Sequence, residues 1–578
     1  MQLNARARPT IGFLSTRSVY EGTTIDNYTH ALLQGVIAAA RERECNLLIG
    51  CGISLPGSSL TSRMAWSVPG KGMDFVPIGP WNADGLIIIP DGLSDSQFDY
   101  VQDLIRSGYP IVFTTAERPG PLVAVDNMGG IRQAFDHLLQ HGHHQIAFIA
   151  GKKEHGGDST ERLAAYRQVL RETGIEEDER LIAFGEHRRE DGRLAMRKIL
   201  DTGAPFTALI ASNDLSCIGA MQMLRTSGRR IPEDVAVIGF DDILEARSQL
   251  PLLTTVRHPT YTLGYQALLS TLDVLNGRKT DEISTRVATK LVIRQSCGCH
   301  PEYIAAASFD PSTSLDITAF QTTLAHIMAD CTFVEISYGT QEEIESLCQS
   351  LVKGFFASIE QHDSMPFDIA TKRIADWVEL NKEDAYAWYS TFDILRNDLK
   401  RVLSLIPNAD LNLANSMVDR AQHVIADMAQ RQAATSLLQH METSDRLGLM
   451  TSQLLAALEV SSIAEILAHQ LPQLGIQQAL VTQYTPREDD HLSHATILIN
   501  VGMPESSTGD EFLTHQFPPP NLFPEDTFQL AVLPLVIDEL AFGFVALSVT
   551  HLEFCAAIVH NLASALRSSQ LYHDALDG

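Results

Sequence analysis

The sequence predicts a doubly wound α/β fold for residues 9–300, an all-α segment after it and an α+β domain at the end. Three observations carry this. Short apolar runs alternate with helical stretches as far as residue 300, as buried parallel strands alternate with the helices that cover them. Glycine then becomes rare and helical periodicity takes over. The charge balance changes at the same place: residues 1–300 hold 31 basic and 34 acidic residues, and residues 301–578 hold 12 and 37. The chain therefore divides into a tail (1–8), a first domain (9–300), a helical domain (301–410), a long helix (411–450) and a final domain (451–578).

The apolar runs of the first domain are Thr10–Leu14, Asn46–Ile49, Gly85–Ile89, Pro110–Phe113, Gln145–Ile149, Ala208–Ile210 and Val235–Ile238. Helical stretches such as Tyr28–Arg43, Ile131–Gln140 and Arg162–Thr173 separate them. In such sheets ligands bind where loops converge at the carboxyl ends of the strands. A glycine- and proline-rich insertion, Ile53–Pro80, is expected to border the cleft entrance. In the second domain Thr318–Asp330, Gln341–Gln361, Ile369–Leu380 and Glu383–Leu405 read as helices, with Pro407 as punctuation. From Leu411 to Leu454 the pattern is one long helix. Met417, Ala421, Val424 and Met428 lie near heptad spacing, and Leu438 and Met441 resume it after a break. Two readings are open: a helix packed on its own domain, or a parallel dimeric coiled coil that transmits a signal. In the last domain a helix (Ile463–Leu471) precedes strands at Ala479–Thr482, Thr496–Ile499, Phe528–Leu535 and Ala541–Leu547. A turn at Ile537-Asp538-Glu539 joins the last two, and a final helix runs from Leu552 to Asp574.

Composition excludes several classes. The formal charge is -28, and the acidic second half repels phosphate backbones. No run of 18 apolar residues occurs, so neither a membrane span nor a membrane partner is expected. The eight cysteines are scattered apart from Cys297-Gly298-Cys299, which suits a reducing cytoplasm. That pair has no second pair of ligands nearby in the sequence, so no metal site and no cofactor is expected. No nucleophile–base–orienter set stands out, so an enzyme is not expected. His440 is the nearest thing to a phosphoacceptor, but Met441 follows it where an acidic residue is usual.

Several motifs resemble the lactose/galactose-repressor family in order and spacing. They are Val125-Asp126-Asn127-Met128-Gly129-Gly130, His137 to His143, Ile146 to Gly151, Ser159 to Tyr166, Ala211 to Asp214, Ile231 to Asp242, Pro251 to Val256 and Leu291 to Gly298. The resemblance implies a type I periplasmic-binding-protein fold, with two α/β lobes and a ligand cleft between them. It implies a small polar ligand such as a sugar, and a homodimer. Three positions carry over. Arg162 opens a helix and reaches ligand oxygens with its planar fork. Asn213 both donates and accepts. Asp241 follows the Gly-aromatic pair and accepts from hydroxyl or amino groups. Arg162 as a surface arginine, and Asp214 or Asp242 as caps, are the plainer readings. Asp126-Asn127 is expected to cap a helix rather than touch ligand. The first lobe departs from the family pattern, and Tyr20 or Tyr28 is expected to take an aromatic stacking position. His141, His143 and His144 fall in the family's Gly-His turn and are expected to be structural.

The family's helix-turn-helix lies ahead of the first strand. Only eight residues precede Pro9, so direct DNA binding is not expected unless translation starts upstream of Met1. Residues 451–578 resemble a GAF domain through Leu533-Pro534-Leu535-Val536, Gly543 to Leu547 and the closing helix. Cys555 sits on that helix, in no chromophore-binding place. The expected function is a non-enzymatic sensor in which lobe closure is relayed to the helical and GAF-like parts, and from there to a downstream signalling protein. The alternative is a transcriptional regulator that reaches DNA through an upstream headpiece or a partner.

Overall fold

The structure is a computed structural model. It describes residues 8–577 apart from 19, 22–23, 26, 53–77, 91–94, 116–119, 153–156, 279–283, 300–316, 337–339, 398, 407–408, 486–493, 504–507, 520–521, 524–526, 538–539 and 550–551. Pro407, Asp538, Glu539 and all of the expected insertion before Ile78 fall outside the described residues.

The first lobe opens with β1 (Thr10–Ser18), a small antiparallel pair β2 (Tyr20–Glu21) and β3 (Thr24–Ile25), then α1 (Asn27–Glu42) and β4 (Asn46–Gly52). It continues through β5 (Gly85–Ile89), α2 (Asp95–Arg106), β6 (Ile111–Phe113) and β7 (Leu122–Val125). The chain crosses to the second lobe at Asp126. There follow α3 (Asn127–Gln140), β8 (Ile146–Ala150), α4 (Asp158–Thr173), β9 (Ile182–Phe184), α5 (Arg189–Asp201), β10 (Ala208–Ala211), α6 (Asp214–Thr226), β11 (Ala236–Asp241) and β12 (Thr254–Arg257). A second crossing at His258-Pro259 leads back to α7 (Thr260–Leu275) and β13 (Ser284–Val287) in the first lobe. A third delivers β14 (Lys290–Val292) to the second. Three crossings between two sheets make the expected two-lobed fold, with apolar strands such as Gly85–Ile89 and Ile146–Ala150 buried along their whole length.

The second lobe is a six-stranded sheet in the order β14-β12-β11-β10-β8-β9, parallel except for β14. The first lobe's order, β13-β7-β6-β5-β1-β4, does not end at β4. It continues into β18-β19-β15-β16-β17, eleven strands among those described. The added strands are β15 (Ala479–Thr485), β16 (His494–Val501), β17 (Glu511–Leu513), β18 (Gln529–Ile537) and β19 (Leu540–Ser548). They are antiparallel among themselves, and β18 lies parallel to β4 with Leu530 opposite Leu48. The α+β character of residues 451–578 is as expected. Its strands share a ladder with the first lobe, pairing the edge that β4 would otherwise leave open.

Between them lie α8 (Ile317–Glu335), α9 (Gln341–Gln361), α10 (Met365–Asn381), α11 (Tyr389–Asn397), α12 (Leu399–Ser404) and α13 (Leu411–Ala456). A capping box at Thr340 and Glu343 starts α9, and Asp410 caps α13. Helices α14 (Val460–Gln473) and α15 (Leu552–Asp577) flank the last sheet. The long helix packs on its own domains at both ends. Met417, Val418, Ala421, Ile425 and Met428 join the helical core, while Met450 and Leu454 join the core shared by the first lobe and the last domain. Among the described residues, no helix is long and apolar enough to cross a membrane.

Candidate functional site

The carboxyl ends of β8, β9, β10, β11 and β12 meet the three crossings, and the expected site residues gather there. Arg162 stands in the first turns of α4, behind Gly157, whose φ of 87° starts the helix. Its Nε donates to Asn127 Oδ1 at 2.8 Å, and its Nη1 donates to Ser212 O at 2.6 Å and Asp241 Oδ1 at 3.2 Å. Phe240 lies under the guanidinium, 3.7 Å from Cζ to the ring centre. Arg162 is thus 4 % exposed and aimed by four neighbours. Its Nη2 has no protein hydrogen-bond partner among the described residues, leaving two N–H groups for a ligand.

Asp241 pairs with Arg162 through its side chain, and its φ of 114° re-aims the chain past the strand end. Asp242 follows with φ 60°. Two successive non-glycine residues in this region cost on the order of 1–3 kcal/mol each. Asn213 is committed more fully than expected: its Oδ1 caps α6 through Ser216 N at 3.1 Å, and its Nδ2 donates to His187 O at 3.1 Å. One amide N–H remains beyond those two bonds. Tyr28, from the first lobe, sets its ring edge-on to His258, 5.3 Å between centres. Tyr20 falls in β2, and its side chain lies outside the described residues. The structure therefore brings Arg162, Asp241 and Asn213 together on the second lobe, with Tyr28 opposing them beside His258.

Two residues carry weight that sequence reasoning missed. Asn127 does not cap α3; Asp126 does, through Gly129 N. Asn127 instead orients Arg162 and donates to Asp158 and Glu161, whose carboxylate grips Arg286 of β13 at 2.7 and 2.8 Å. His258 sits in the second crossing. Burial, with Arg162 nearby, pushes its imidazole pKa down to about 3, so the ring is neutral. Its Nδ1 meets Thr260 Oγ1, and among the described residues its Nε2 is buried without a protein partner, as are Ser159 Oγ and Ser212 Oγ. Buried polar groups are ordinarily paired. The signal for His258 was its position, directly after a strand and before a proline at a lobe crossing. Asp214, by contrast, is structural: it is fully buried, burial raises its pKa strongly, and it accepts from Thr255 Oγ1 and Ile243 N.

The second expectation to be corrected concerns Cys297 and Cys299. They are not isolated. The last turn of α3 and the residue after it bring His137 and His141 against Cys299, with Nε2 atoms 3.5 and 3.1 Å from its Sγ. The proximity was invisible in sequence because about 160 residues separate the two pairs. His143 is structural as expected, its Nδ1 2.9 Å from Thr207 Oγ1.

The sequence matches the periplasmic binding protein-like domain family over residues 135–297. It is 32% identical over 259 residues to the HTH-type transcriptional regulator CelR of Thermobifida fusca, covering 43% of this chain and 74% of that protein. It is 37% identical over 174 residues to the HTH-type transcriptional regulator GalR of Escherichia coli K12, covering 30% of this chain and 50% of that one. Among solved structures, a CelR–cellobiose complex is 28% identical and aligns with 50% of this chain and 85% of its own, with a TM-score of 0.40. These relatives are transcriptional regulators, not enzymes. On the extent of these sequence matches, the chain belongs to the lactose/galactose-repressor family.

Proposed function

We propose that the chain is a cytoplasmic, homodimeric sensor. A small polar, sugar-like ligand closes the lobes over Arg162, Asn213 and Asp241, and the closure passes to the helical segment and a GAF-like final domain. A downstream signalling protein reads the result. One observation carries the relay. Asp241 touches Arg162, and the next residue, Asp242, is the buried hub of an ion-pair cluster that leaves the lobe. Asp242 accepts from Arg294 Nη2 at 2.7 Å and from Arg257 Nε at 2.7 Å. Arg294 also reaches Glu335 at the end of α8 at 3.1 Å, Arg257 donates to Ile336 O at 3.2 Å, and Arg247 pairs with Asp384 at 3.2 Å. A ligand that moves Asp241 therefore moves the anchor of the helical segment, and only a differential contact of this kind shifts an equilibrium.

The test is calorimetry and thermal shift with a panel of mono- and disaccharides, nucleosides and polyols. A true ligand at 100 times its Kd stabilises the fold by about 2.7 kcal/mol. Arg162→Met is expected to abolish that shift. A complete panel without any shift sinks the reading. A second reading, action on transcription through DNA, is favoured by the relatives' being HTH-type regulators. Nuclease footprinting of the full chain on its own upstream DNA, with and without the ligand found above, separates the two.

A further inference from the structure

At the end of the second lobe away from the cleft, three metal-binding side chains converge that the ligand scheme does not use: His137, His141 and Cys299. His137 and His141 are four residues apart and share one face of α3's last turn; their ring centres are 4.7 Å apart. Cys299 Sγ lies 3.5 Å from His137 Nε2 and 3.1 Å from His141 Nε2, and these donor atoms all fall within 4.8 Å of one another. Cys297, two residues before Cys299, is engaged elsewhere: its Sγ accepts from Thr254 Oγ1 at 3.1 Å and donates to Arg294 O at 3.7 Å. Both cysteines are buried.

We propose that His137, His141 and Cys299 form a zinc site. Zinc takes thiolate at about 2.3 Å and imidazole at about 2.0–2.1 Å in a tetrahedron, which sets neighbouring S and N donors about 3.6 Å apart. The two sulfur–nitrogen separations seen here are close to that without any metal restraint. The scaffold is rigid. Ser296 Oγ accepts from Thr254 N at 2.8 Å and donates to Val237 O at 2.6 Å, tying the cysteine turn to β11 and β12. Gly298 makes the turn with φ 93°, a conformation that favours glycine. Three protein donors leave the fourth position of the tetrahedron to water. Its place says what it does. His137 is ten residues along α3 from Asn127, about 15 Å from the Arg162 cluster. Cys299 follows β14, and His137 and His141 stand at the end of α3, so a metal here ties two stretches of the second lobe that are about 160 residues apart in the chain.

The full chain, purified without chelator, is expected to carry about one zinc per chain by plasma mass spectrometry. Chelation should lower Tm, and zinc chloride alone should restore it. Cobalt titrated into the stripped protein should give the absorption of a tetrahedral thiolate site. Cys299→Ser and His141→Ala should bind cobalt at least about 100-fold more weakly. Cys217→Ser, which alters a buried thiol elsewhere in the same lobe, should leave the spectrum unchanged. Absence of zinc together with no cobalt spectrum overturns the proposal, as does a Cys297–Cys299 disulfide in the native protein by intact mass. An unaltered cobalt spectrum in Cys299→Ser overturns it as well.

Discussion

The two lobes hold their attached domains by different physics. The first lobe joins the last domain through a β-ladder and one continuous apolar core, in which Leu33 and Leu47 share a cluster with Ala531 and Leu562. The second lobe and its crossings hold the helical domain through charges. Arg247, Arg257 and Arg294 face Asp242, Glu335 and Asp384. A ladder and a close-packed core resist change. An ion-pair cluster re-pairs at small cost when its members shift together. Helix α13 spans both attachments, 46 residues and about 69 Å long. One end is rooted in the helical core and the other in the core shared with the first lobe. A change in the angle between the lobes therefore loads this strut, and the charged seam is where it can yield.

The largest way to break the contrast is Asp242→Asn. The carboxylate is only 2% exposed among three arginines, so removing its charge strands buried cations. A loss of about 3–5 kcal/mol is expected by urea unfolding. Hydrogen exchange should rise in α8 while the β4–β18 ladder stays protected. Equal loosening of both seams would refute the contrast. Acid acts on the same seam. Burial pushes Asp242 up, but Arg294, Arg257 and Arg247 outweigh it and hold the carboxyl below its usual range. Its contribution is therefore present above about pH 4 and is lost as pH falls further.

Ala531→Pro attacks the other seam. It removes a ladder N–H between β4 and β19 and should cost about 3 kcal/mol. Its loss should be insensitive to salt between dilute buffer and high salt, unlike the charged seam. A salt-dependent cost would place charges where the structure shows apolar contacts. The crossing between the seams is tested through His258. Its imidazole has a folded pKa near 3 against an ordinary 6.5, so the unfolded chain takes up the proton first. Stability is full above about pH 6.5 and falls toward pH 3, by about 1.4 kcal/mol per unit at most. His258→Gln should flatten the part of the pH–stability curve between pH 6.5 and 4.5. An unchanged slope there would mean that the ring is solvated.

The smallest effect sharpens the role of the strut. Leu437, Leu438 and Met441 are 61%, 62% and 55% exposed in the middle of α13. Leu437→Asp with Leu438→Asp should change monomer stability by less than about 0.5 kcal/mol. If that stretch pairs with a second copy, the same change should convert dimer to monomer in sedimentation. Dimers that persist would place the contact elsewhere.

Local patterns determined a great deal by themselves. Apolar runs specified β1, β4, β5, β6, β8, β10 and β11 of the two lobes, while the shorter β7, β9, β12, β13 and β14 were not read from them. Periodicity placed Gln341–Gln361 to the residue and the long helix to within two, and Asp126 was recognisable as a cap. These features depend on neighbours a few residues away, and sequence records such neighbours directly. Arg162, Asn213 and Asp241 came from the resemblance to the repressor family, not from any local pattern. Only the tertiary structure decided the rest. The β4–β18 ladder joins positions nearly 500 residues apart, and an edge strand's pattern does not name its partner. His137 and His141 meet Cys299 only once α3 is laid across β12, and Arg294, held by Asp242, finds Glu335 only when α8 reaches the second lobe. Such contacts leave no period in the chain. They arise from packing two layers on a common core, where the partner is chosen by shape and charge rather than by distance along the sequence.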